Sequence, residues 1–180
     1  PGGTGTLQLM RNIIGERAGD RDFDPFPFLR KAYQTIALAQ VSTAGAQQAV
    51  SMGFLRSSDI ISLAGDQLLF KAKKMAIAMA EAGFRPPRPA TFRLPGKSGF
   101  ATIDMQLYSF VQDNQASAHD RLIGQKLATV LTGGDTTKKL VVTEERLIEL
   151  EREAFLSLLG QEKTRERMMH MVMKGKPLRN

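Results

Sequence analysis

Three glycines crowd the front of the chain, Gly2, Gly3 and Gly5 within PGGTGT. That is denser than an ordinary surface loop requires. Glycine lets the backbone pass close to another group, or take φ > 0, where a Cβ would clash. The loop then runs into an apolar helical stripe, Leu7, Met10 and Ile14, with Gly15 at the stop. A glycine-rich loop that opens a helix aims backbone N–H groups at one spot. Such a spot suits an oxyanion, a phosphate or a bound water.

Carboxylates gather in two places. Glu16, Asp20, Asp22 and Asp24 share a short connection containing Pro25 and Pro27, and read as a solvated loop. Glu144, Glu145, Glu149 and Glu153 share a helix and read as its solvated face, opposite the stripe Leu147, Leu150, Ala154 and Leu158. His119 and His170 stand far apart with no neighbours at ligand spacing, and the chain has no Cys, so no metal is expected. Ser51, Ser57 and Ser58 have no adjacent base and no nucleophile elbow. Lys71, Lys73 and Lys74 read, on composition alone, as a basic solvated face. Of Met168, Met169, Met171 and Met173, two are expected toward the core and two toward solvent or a partner.

The elements that must position these groups are mostly helices. Helical spacing marks residues 27–40, with Phe28, Leu29, Ala32, Ile36 and Ala39. A short helix of small residues, 44–52, follows a Ser42-Thr43 cap, ends at Gly53 and is expected to be buried. Ile60-Ile61-Ser62-Leu63 reads as a short strand or extended lead-in, and Asp66 as the cap of a long helix over 66–82. Phe84-Arg85-Pro86-Pro87-Arg88-Pro89 is a stiff linker, Thr91–Leu94 an extended piece, and Pro95-Gly96 a turn. Beyond it the chain reads all-helical: a helix capped by Ser98, one opened by a Ser117-x-x-Asp120 capping box and stopped at Gly133-Gly134, one started by Thr143, and one over 162–174.

Composition bounds the class. The chain has 180 residues, 42% hydrophobic and 24% charged, which suits a globular protein with a sizeable core. No apolar run approaches the roughly 18 residues of a membrane span, and no signal peptide is visible. With no Cys, a reducing, cytoplasmic setting is expected. A net charge of +7 suits an anionic partner, but the basic residues are scattered, so neither nucleic acid nor membrane is expected.

Pro1-Gly2-Gly3-Thr4-Gly5-Thr6, followed by Leu9, Arg11 and Ile14-Gly15, resembles the proline-glycine loop and following helix of the crotonase (enoyl-CoA hydratase/isomerase) family. The order and spacing of Ala44–Met52, Gly53-Phe54-Leu55, Asp59–Leu63 and Asp66–Ala82 are similar to that family too. Val130–Asp135, Glu149–Leu159, Glu162-Lys163-Thr164-x-Glu166-Arg167 and Gly175–Asn180 resemble the end of one arrangement of it. In that arrangement 3-hydroxyacyl-CoA dehydrogenase domains come first and a hydratase-like module comes last. The resemblance implies that the loop lies beside an acyl-CoA thioester. It implies that the Gly2 N–H serves the reacting water near the catalytic carboxylates, with Gly3 and Gly5 structural. It also implies that Lys71 and Lys74 meet the CoA phosphates. The family's two catalytic glutamates and its oxyanion amides precede this loop. The expectation is therefore a fragment, and a start at Pro1 rather than Met agrees with that.

The expected fold is mainly α. Residues 1–84 are expected as the helical C-terminal part of a crotonase-like α/β module, 85–97 as a Pro-rich linker and 98–180 as a helical extension. By itself the fragment is expected to hold no cofactor and to lack hydratase activity. Its parent would act on acyl-CoA with NAD, as hydratase and dehydrogenase of fatty-acid β-oxidation. Implied partners are the upstream domains, acyl-CoA and further copies of the chain, through apolar helix faces left uncovered in the first segments. Two rival functions are a non-enzymatic helical interaction domain, using the linker and the Met-rich tail, and a basic nucleic-acid-binding domain.

Overall fold

The computed structural model describes residues 2–137 and 140–180. In chain order these form α1 (Gly5–Ile14), a 3₁₀ turn (Gly15–Gly19), α2 (Phe26–Ala37), α3 (Gly45–Met52), α4 (Leu68–Glu81), β1 (Thr91–Leu94), α5 (Lys97–Gln112), α6 (Ala118–Thr132), β2 (Leu140–Thr143), α7 (Glu144–Leu159) and α8 (Glu162–Lys174). The fold is mainly α, as the spacing of apolar residues requires. It divides into two compact units, Pro1–Val41 with Ala90–Asn180, and Ser42–Pro89.

The first unit is organised around α6, which packs against α5, α7, α2 and α1. Its start is the capping box read from the sequence: the Ser117 hydroxyl accepts from the Asp120 N–H, and the Asp120 carboxylate accepts from the Ser117 N–H. Gly133 ends it at φ 88°, where a side chain would be strained. Leu127, Ala128, Val130 and Leu131 face a core shared with Met10, Leu29, Ile103, Leu107 and Leu147. Small residues permit this packing. A Cβ on Gly124 would lie 2.6 Å from the Tyr33 hydroxyl and 2.9 Å from Leu107, so α6 meets both neighbours only through a glycine.

The stretch beyond the linker is not all-helical. Leu140-Val141-Val142-Thr143 forms β2, which pairs antiparallel with β1 in the register Thr91↔Thr143, Phe92↔Val142, Arg93↔Val141 and Leu94↔Leu140. β-branched residues suit a pleated surface, and alternation sends Phe92, Leu94 and Val142 into the core. Thr91–Leu94, expected as merely extended, is thus half of a two-stranded ribbon. Ser98 does not cap α5 either. Gly96 holds that position, and the Ser98 hydroxyl turns back to donate to the Pro95 carbonyl.

The second unit departs further from expectation. No residue of α3 or α4 is buried. The small residues of α3, expected in the interior, are half-buried (Ala46, Ala49) or exposed (Gly45, Ser51). Its cap position is held by Ala44, not by Ser42 or Thr43, and the Gln48 side-chain oxygen accepts from the N–H groups of Thr43 and Ala44. Asp66 is not the cap of α4; Gln67 is, without a side-chain bond. Ile60–Leu63 forms no strand. Exposed apolar side chains concentrate here, including Leu63, Leu68, Leu69, Phe70 and Ile77. Leu7, Leu9 and Met10 of α1 and Leu29 of α2 are buried instead, so the first helices are not the ones left bare.

Gly124→Ala tests the close packing of α6. Alanine improves intrinsic helix propensity by about 0.5–1 kcal/mol, but overpacking costs about 1–3 kcal/mol. The expected outcome is a lower thermal unfolding midpoint, whereas Gly3→Ala, with open space around its Cβ position, leaves the midpoint nearly unchanged.

Candidate functional site

The glycine loop is held by α7. The Gly2 N–H donates to Glu151 Oε1 at 2.8 Å, and the Thr6 hydroxyl reaches the same oxygen at 3.3 Å. Glu151 is only 3% exposed, and its Oε2 is buried with no hydrogen-bond partner among the described residues. One turn further along α7, Phe155 lies against the loop: a Cβ on Gly2 would be 2.9 Å from its ring. A close approach therefore requires glycine at Gly2. It does not at Gly3 or Gly5, whose Cβ positions face open space. Pro1 lies outside the described residues.

Thr4, the cap of α1, sits at φ 64° in the left-handed region. A β-branched residue there is a true outlier and costs on the order of 1–3 kcal/mol. Loops held in such a state owe it to neighbours that over-determine them.

The far end of α1 is fastened to α7 as well. Arg11 Nε donates to Glu144 Oε1 at 2.6 Å, and a second guanidinium nitrogen pairs with Oε2. Glu144 also accepts from the Ala90 N–H at 2.9 Å. Burial opposes ionisation of Glu144, but the bonds from Arg11 and Ala90 outweigh it and hold the carboxyl below its ordinary pKa. Glu144 was assigned above to a solvated face, and that assignment is wrong. It precedes Leu147 by three residues and Glu151 by seven, so it shares the phase of the apolar stripe. Glu145, Glu149 and Glu153 are exposed as expected, and Arg146 pairs with the last two.

The other groups singled out from the sequence go elsewhere. Asp20, Asp22 and Asp24 are exposed; the side chain of Glu16 lies outside the described residues. His119 Nε2 lies 3.0 Å from the Thr164 hydroxyl, and burial, with Arg167 and Lys163 nearby, lowers its pKa. His170 Nδ1 donates to the Lys176 carbonyl. The Ser51 hydroxyl donates to the Gln48 carbonyl. Lys71 and Lys74, one turn apart on α4, belong to the second unit. Lys71 Nζ is 3.5 Å from the Ser62 hydroxyl, and Lys74 Nζ lies over the Phe70 ring at 5.7 Å. Neither forms an ion pair among the described residues.

All four C-terminal methionines are exposed, contrary to the expected even split. α8 turns its polar side inward instead: Thr164 meets His119, and Arg167 pairs with Asp120 at 2.6 Å. For Asp120, burial raises the pKa but the bonds from Arg167 and Ser117 prevail and lower it.

Over all 180 residues the chain is 42% identical to a protein of Bacillus subtilis (strain 168) named as a probable 3-hydroxyacyl-CoA dehydrogenase. The chain spans 22% of that relative's length. No protein-family model matches the chain, and no solved structure matches it.

Three ion-paired carboxylates, that of the α1–α7 clasp among them, give the fold a pH dependence. Glu144, Asp104 and Asp120 all have lowered pKa values, Asp104 chiefly through its bond from Arg121. Each stabilises the fold above its unfolded pKa, and that stability is lost as pH falls through the lower folded value. Thermal unfolding followed against pH is expected to show stability falling below the ordinary carboxylate range. Glu144→Gln is expected to cost on the order of 1–3 kcal/mol at neutral pH, a gap that narrows as the medium is acidified.

Proposed function

We propose that the chain is part of a fatty-acid β-oxidation enzyme, the C-terminal portion of a hydratase-like module joined to 3-hydroxyacyl-CoA dehydrogenase domains. The observation that carries this reading is the full-length similarity to a probable 3-hydroxyacyl-CoA dehydrogenase of which the chain spans 22%. A glycine loop at a helix start, fastened to the buried Glu151 carboxylate, supports the hydratase-like half of it. On this reading the loop lies beside an acyl-CoA thioester. The parent adds water to a trans-2-enoyl-CoA and oxidises the 3-hydroxyacyl-CoA with NAD.

Hydration needs one carboxylate as base and one as acid, together with amides on the thioester oxygen. The acid and base belong to the upstream part of the parent. Lys71 and Lys74, unpaired with any carboxylate among the described residues, meet the CoA phosphates. The test compares the chain with the full product of its gene. The full product is expected to consume the conjugated double bond of an enoyl-CoA and to form NADH from a 3-hydroxyacyl-CoA, while the chain alone does neither. Hydration by the chain alone, or neither reaction by the full product, overturns the reading.

The uncovered apolar side chains of Ser42–Pro89 are, on the same reading, the surface that docks onto upstream domains. In their absence the chain self-associates there. Sedimentation is expected to show association that grows with concentration and is abolished by Leu69→Glu with Phe70→Glu, whose parent residues are 82% and 63% exposed.

A second reading, a helical interaction domain, draws on one observation: α8 presents Met169, Val172 and Met173 outward. Capture of a partner that depends on residues 161–180, by a full gene product without either enzymatic activity, favours it.

A further inference from the structure

We propose that Glu151 is the positioning residue of the acyl-CoA site, setting the place of the Gly2–Thr6 loop through its carboxylate. This rests on the hydratase-like reading above. The loop has few other means of support. Gly3 and Gly5 contact nothing within 4 Å of their Cβ positions, and Thr4 is held in a left-handed conformation that it does not favour.

What holds the loop is an i, i+4 pair on α7. Glu151 Oε1 accepts from Gly2 N–H and Thr6 Oγ1–H, and the Phe155 ring closes on the Gly2 backbone. The carboxylate also lies at the start of α1, where the helix dipole favours negative charge. A group 3% exposed, bonded both to the loop at Gly2 and to the first turn of α1 at Thr6, is not a surface ornament. Burying a carboxylate costs several kcal/mol unless donors meet it. The donors are Gly2 in the loop and Thr6 in the first turn of α1, both on Oε1, so loop and carboxylate fix each other.

The consequence for chemistry is geometric. In this arrangement the Gly2 N–H is engaged by Glu151 and not by a reacting water, the role the resemblance gives it, so Glu151 acts on the reaction by setting the place of the loop backbone. A displacement of about 1 Å at a reacting centre can cost around a hundredfold in rate. Glutamine keeps an acceptor oxygen for both donors, though a neutral acceptor bonds at roughly half the strength. Alanine keeps neither.

The experiment uses the full gene product with an enoyl-CoA, reading kcat and KM for wild type, Glu151→Gln, Glu151→Ala and Gly2→Ala. Amide hydrogen exchange over residues 2–10 and the unfolding midpoint are read on the same samples. The expected result is a kcat about ten- to a hundredfold lower for Glu151→Ala and Gly2→Ala, with KM changed much less and exchange in the loop faster. Glu151→Gln is expected to recover kcat to within about fivefold of wild type. Three results overturn the proposal. One is wild-type kcat in Glu151→Ala while its loop exchanges faster. Another is Glu151→Gln as inactive as Glu151→Ala, which assigns proton transfer rather than positioning. The third is a loss of kcat that follows the unfolding midpoint alone, with loop exchange unchanged. A wild-type product without hydratase activity instead removes the hydratase-like reading on which the role depends, which separates the two failures.

Discussion

The structure depends on a helix pair fastened by two buried carboxylates. α1 runs antiparallel to α7, since Gly2 and Thr6 meet Glu151 while Arg11 meets Glu144, two turns earlier on α7. Antiparallel helices place opposite dipole ends side by side, and each charge falls where that arrangement favours it. Glu151 sits at the positive end of α1, Glu144 in the first turn of α7, and Arg11 in the last turn of α1. Glu144 also takes the Ala90 N–H, just ahead of β1. One carboxylate thereby joins the first helix, the strand ribbon and the start of α7. Burying a carboxylate without donors is costly, so these polar contacts select one arrangement of an otherwise ordinary apolar core.

Much of the fold was legible because its signals are local. The Ser117-x-x-Asp120 box, the Thr143 cap and the stops at Gly15, Gly53, Gly133 and Gly175 all lie where adjacent residues place them. β2 was not legible in the same way. Four residues are too few to show a period, and the partner strand lies far away in sequence. The failed caps at Asp66 and Ser98 have a common origin. A polar residue near a helix start is a candidate, and which residue leaves the helical conformation is decided by the preceding turn.

The site was half legible. The glycines announced a crowded loop, and Gly2 does meet Phe155. What they met was not announced, because Glu151 looks like one more acidic residue on a charged helix. The signal was its phase: Glu144, Leu147, Glu151, Ala154 and Leu158 fall on one face. An acidic residue in step with a buried stripe marks a partnered carboxylate, not a solvated one. The same lesson in reverse applies to α8. Two of its methionines were read as facing the core, whereas Arg167 and Thr164 had stronger partners waiting on α6.

The first compact unit is discontinuous in the chain, with Ser42–Pro89 interposed between its two parts. The earlier part supplies Met10 and Leu29 to the interior, and the later part supplies Leu127, Leu131 and Leu147. Closing a long intervening loop costs entropy that grows only slowly with its length. That makes the two parts complementary fragments: cutting the backbone within the interposed segment leaves a cleft peptide whose halves still share one interior and a buried ion pair. Assembly of that interior also requires α6 and α7, so during synthesis α1 emerges well before the surface it packs against.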